Sequence, residues 1–162
     1  MDKLTEDSVE MKIGIIESIV DSVVCDFSRI AHLRHKYLNN ELVIFNKELP
    51  VISISREYSK DTFTVNFFSF VEIDLSNVQV MNLHTVYHDI EILEYLNAND
   101  LKLWFYNDKD LIMEYNFVKN YQDIETLSDE LLLTISILFF SKLRIRDLLN
   151  GKYYELRSVL VN

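Results

Sequence analysis

The pair of side chains with the most suggestive spacing is His84 and His88, in the run His84-Thr85-Val86-Tyr87-His88, with Asp89 and Glu91 close behind. Two imidazoles four residues apart share one face of a helix, and that spacing can hold a metal ion. The zinc-protease arrangement needs a glutamate directly after the first histidine as general base, and Thr85 stands there instead. A polar helix face is therefore expected at His84 and His88, with no metal. His32 and His35 sit beside Arg34 and Lys36. That cluster is expected to end a first helix, where positive charge complements the helix dipole.

The acidic pairs are similarly modest. Asp108 and Asp110 suit a turn, while Asp129 and Glu130 suit the positive end of a helix dipole. Ser128, Ser136 and Ser141 have no flanking motif that would activate a nucleophile. Lys142, Arg144, Arg146, Lys152 and Arg157 form the one basic region, suited either to an acidic partner or to a cationic last helical turn. No catalytic residue and no cofactor are expected.

Composition narrows the classes further. Only two glycines, Gly14 and Gly151, occur, so the glycine-rich loops that cradle phosphates are absent and the usual nucleotide-binding enzymes are disfavoured. A net charge of −10 repels phosphate backbones and anionic lipid, so neither nucleic acid nor membrane is an expected partner. Hydrophobic residues at 49% argue against disorder, and 162 residues suit one domain spanning 1–162. The lone Cys25, set among Val23, Val24 and Phe27, is expected to be a buried small hydrophobe in a reducing compartment. The acidic start Met1-Asp2-Lys3-Leu4-Thr5-Glu6-Asp7 carries no signal-peptide hydrophobic region, which predicts cytoplasmic residence.

The elements that must carry these residues can be read from periodicity. Val9, Ile13, Ile16, Val20, Val23, Phe27 and Ile30 recur at steps of four and three, which predicts a first helix ending near Asn39-Asn40. Ile15, Ile19 and Val24 widen its stripe, favouring packing on a globular core over a coiled-coil dimer. Gly14 weakens this helix and suggests close packing. Leu42 to Phe45, Val51 to Tyr58 and Thr62 to Ile73 read as three strands, and a helix follows from about Asn82 to Leu96. Period-two alternation on either side of Asn107-Asp108-Lys109-Asp110 predicts a hairpin over Leu101 to Phe117.

Thr126 with Asp129 suggests a capping box opening a last helix, and Asn150-Gly151 suggests its end near Leu149. Leu131 to Phe140 puts apolar groups all around that helix over about ten residues, where roughly twenty would be needed to span a membrane. Such a helix is buried on more than one side, by the first helix or by a second copy of the chain. Phe68 and Phe70, off the main apolar face of their strand, are matched by Trp104 and Tyr106 on the polar face of the later hairpin, either as an aromatic patch for a partner or as a face covered by a helix or subunit. The expected fold class is α+β: an antiparallel five-stranded sheet with helices packed on one face, in the order α-β-β-β-α-β-β-α.

From Val9 to Leu149 the element order resembles the fold shared by type III secretion chaperones and the YbjN-like proteins. The hairpin, and its passage through Thr126-Leu127-Ser128-Asp129 into a long apolar helix, carry the resemblance. It implies a small acidic dimer that holds an extended segment of a secreted protein. The expected function is thus a non-enzymatic protein-binding module, a homodimeric chaperone or adaptor. Phe68, Phe70, Trp104, Tyr106, Leu132, Ile137 and Phe140 are its candidate interface residues. The alternative is an acidic inhibitor or immunity protein that blocks a basic toxin or nuclease.

Overall fold

Helix α1 spans Glu6–Ile30. Its buried residues Ile16, Val20, Val23, Val24 and Phe27 fall on one stripe, as a helix lying on a core requires. Val20, Val23 and Val24 close against Ile54, Val65, Phe67, Leu131 and Ile135, with no space left for a water molecule. The stripe is narrower than the sequence implies, because Ile15 and Ile30 are exposed. Cys25 is exposed as well, not buried, since it lies on the solvent side of that stripe between the exposed Ser22 and Arg29. Gly14 marks no close approach: a Cβ there would meet nothing within 4 Å.

This computed structural model describes residues 6–71, 90–106 and 110–161. Within them the sheet has six strands, not five, because α1 ends well before Asn39. At its end Leu33 N–H donates to the Ser28 carbonyl at 2.8 Å and His32 N–H to that of Arg29 at 3.4 Å. With His32 at φ 55°, this is a Schellman end in which histidine takes the left-handed position usually given to glycine. His32 and His35 therefore do not share a helix terminus. His35 belongs to strand β1, Arg34–Leu38, which pairs antiparallel with β2, Glu41–Asn46. Asn39 and Asn40, at φ 51° and 66°, make the two-residue turn between them, whose two left-handed positions suit asparagine.

Strands β3 (Leu49–Tyr58) and β4 (Thr62–Val71) follow. Helix α2 covers Ile90–Ala98 and ends in a second Schellman arrangement: Leu101 N–H donates to the Leu96 carbonyl at 2.9 Å, with Asp100 at φ 53°. The earlier part of the expected helix, with His84 and His88, lies outside the described residues. Strand β5 (Lys102–Tyr106) pairs antiparallel with β6 (Asp110–Asn120), matching Trp104 with Ile112. Helix α3 runs from Leu127 to Val161, through the Asn150-Gly151 expected to stop it. A helical glycine costs about 1 kcal/mol, too little to halt a helix that is already propagating. Among the described residues the strand order is β1-β2-β3-β4-β6-β5, and the element order is α-β-β-β-β-α-β-β-α.

The chain clusters into two compact units, one within residues 1–67 and 116–137 and the other within 68–115 and 138–162. In the first, the register Leu42↔Ile54 and Ile44↔Ile52 stacks buried side chains toward α1. Tyr121 is buried against Phe63, ring centroids 5.8 Å apart, and its hydroxyl donates to the Ser59 carbonyl at 2.6 Å. In the second, Tyr95 donates to the Ser141 hydroxyl at 3.0 Å, and Ile92, Leu96 and Leu138 are buried.

Candidate functional site

Helix α3 carries the clearest candidate surface. Leu127, Leu131, Ile135, Leu138 and Ile145 are buried, and they account for one side of the helix. On the other, Leu133 is 61% exposed, Ile137 43% and Phe140 70%. Steps of four and three residues put these three on one stripe, and exposed Asp129 and Arg144 continue it at either end. Leu132, the third residue of α3 named from sequence, is half-buried beside this stripe. At roughly 1.5–3 kcal/mol for each fully buried Leu, Ile or Phe, the stripe represents substantial free energy if it is covered.

The expected aromatic patch is more mixed. Phe68 and Phe70 alternate with the buried Phe67, Ser69 and Val71, so they project from the opposite face of β4 and are half-buried there. Asn116 donates to Asn66 at 2.6 Å, which aligns that face of β4 with the face of β6 carrying Ile112 and Glu114. Trp104, 52% exposed, pairs with Ile112 and donates its indole N–H to Glu114 at 2.7 Å. Phe68, Phe70 and Trp104 thus lie on one sheet face. The Tyr106 side chain lies outside the described part.

A cluster of titratable groups among the described residues was not foreseen from sequence. Glu17 and Asp21, one helical turn apart on α1, face Arg56 and Tyr58 of β3 and Tyr37 of β1. Arg56 and the Tyr58 hydroxyl both donate to the Glu17 carboxylate, and the Tyr37 hydroxyl donates to Asp21. Arg56 lies 3.8 Å from Asp21 and stacks 5.6 Å from the Tyr37 ring, and its side chain is only 8% exposed. Burial, and then the hydrogen bond to Glu17, push the Tyr58 hydroxyl well above its ordinary range. Burial also raises Asp21, against the opposing pull of Arg56. With every member hydrogen-bonded, the cluster locks α1 onto β1 and β3 through charge-assisted bonds. The spacing of Glu17 and Asp21 was its only sequence signal, because the partners come from strands more than ten residues away.

The start of α3 differs from the expected capping box. The Thr126 hydroxyl donates to the Glu130 carboxylate, and the Lys119 ammonium donates to Glu130 as well. Those bonds hold the Glu130 carboxyl below its ordinary range.

Among the described residues, no group of three or more His, Cys, Asp or Glu side chains is placed to hold a metal ion. No described helix is long and apolar enough to cross a membrane. Comparison with protein-family models, curated proteins and solved structures finds no match to this chain.

Proposed function

We propose that this protein is a non-enzymatic protein-binding module that acts as a homodimer, with a chaperone or adaptor role like that of the type III secretion chaperones it resembles. The observation that carries the reading is the apolar stripe Leu133, Ile137 and Phe140 on the outer side of α3. A second copy of the same helix fits it. When two α3 helices pack antiparallel about a two-fold axis near Ile137, Leu133 of each copy meets Phe140 of the other. The same register sets Asp129 of each copy against Arg144 of the other, so apolar contacts and charges close together. A parallel pairing would instead put Asp129 against Asp129 and Arg144 against Arg144.

The charges supply the test. Asp129→Arg is expected to weaken the dimer about threefold to tenfold, and so is Arg144→Asp. The Asp129→Arg/Arg144→Asp double variant is expected to recover wild-type affinity in analytical ultracentrifugation. Dimers whose affinity is the same in all four proteins would remove this interface.

A second reading, an acidic inhibitor of a basic toxin or nuclease, is favoured by the net charge of −10. It differs in requiring steeply salt-dependent capture of a basic partner, with Asp and Glu dominating the contact energies.

A further inference from the structure

Strand β1 ends the sheet, and all five of its residues are exposed. An edge strand presents unpaired backbone groups outward, and natural proteins often place lysine there to discourage pairing. Here the charges are concentrated and of one sign. Arg34 and Lys36 alternate along β1 and so share a face, opposite Phe45 and Val43 of β2. The Lys36 ammonium lies 5.1 Å from the centre of the Phe45 ring. Arg34 donates to the Lys47 carbonyl at 3.2 Å, tying β1 to the turn where Lys47 stands at φ 57°. Together Arg34, His35, Lys36, Phe45, Lys47 and Glu48 line a hollow of about 460 Å³. Among the described residues, Glu48 is the only carboxylate lining it. None of the ion pairs among the described residues involves Arg34, Lys36 or Lys47.

We infer that this hollow binds an acidic peptide segment of a partner protein, with carboxylates at alternating positions. The inference rests on the protein-binding reading and names the chemistry of the partner. Residues i and i+2 of an extended chain are about 6.6 Å apart, the spacing at which Arg34 and Lys36 leave the β1 backbone. Arg34 can engage a carboxylate through two N–H groups, and Lys36 offers a charge held in place by the Phe45 ring. A second copy of β1 is the wrong occupant. Antiparallel self-pairing would place Lys36 opposite Lys36, and like charges directly opposite destabilise a strand pair. The acidic remainder of the molecule does not forbid an acidic ligand. Beyond a Debye length of about 8 Å at physiological salt its field is largely screened, while contacts at hydrogen-bond range are not.

The test uses the full chain and two labelled peptides of identical composition, one with glutamate at alternate positions and one with the same glutamates in a block. Fluorescence anisotropy is expected to show tighter binding of the alternating peptide. Arg34→Glu/Lys36→Glu should weaken it by about tenfold or more, and Lys36→Gln by less. Because β1 is exposed, all three proteins should melt together. Equal binding of both peptides, binding unchanged in the double variant, displacement by an oligonucleotide as effective as by unlabelled peptide, or no binding of either peptide would each overturn the proposal. Solution mass recorded on the same samples separates the two readings. A dimer that ignores both peptides removes only this site, and a monomer that binds the alternating peptide removes only the α3 interface.

Discussion

Glu130 accepts from both the Thr126 hydroxyl and the Lys119 ammonium, so its charge is stabilised in the folded protein. A carboxyl whose folded pKa is lowered contributes stability above its unfolded value, and that contribution disappears as pH falls through the folded pKa. Glu130→Gln is therefore expected to lower stability at neutral pH by under about 1 kcal/mol, because Glu130 is partly open to solvent and its pair is screened. In urea melts the gap between wild type and variant should close as pH drops below the ordinary carboxylate range. A gap that stays constant with pH would assign the effect to packing. Gly14 gives the opposite sign. With open space around its Cα and no left-handed requirement, Gly14→Ala is expected to raise stability by up to about 1 kcal/mol in the same melts.

At the scale of elements, regular hydrophobic spacing was legible and exposed structure was not. The α1 stripe, the β5–β6 hairpin and the buried side of α3 each repeat a period, so their residues announced them. Strand β1 has no such alternation: Arg34 to Leu38 is exposed throughout, and pairing with β2 makes it a strand. Its real signal was Asn39-Asn40, two residues suited to left-handed turn positions, which equally well suit a helix end. The end of α3 was misplaced for a related reason, since glycine permits a stop without enforcing one. Of the candidate site, the apolar stripe could be seen as surplus hydrophobicity on a two-sided helix. The Glu17–Arg56–Tyr58 cluster and the basic hollow at β1 showed only in part, as the spacing of Glu17 and Asp21 and as the run of cations at Arg34 and Lys36, because their remaining members are brought together by strand register.

At the scale of the whole molecule, a chain with net charge −10 leaves a row of large apolar side chains on its last helix and gathers cations at one sheet edge. An apolar surface joining two copies and a charged surface meeting a partner would give these features separate roles. Light-scattering chromatography at low and high salt distinguishes a dimer joined through α3 from a monomer. A mass of twice the 19.2 kDa chain is expected at both salts, because in such a dimer the apolar stripe would contribute most of the association energy and the Asp129–Arg144 pairs little. Phe140→Asp is expected to give the 19.2 kDa monomer. A wild-type chain that elutes as a monomer at both salts would rule out the α3 dimer.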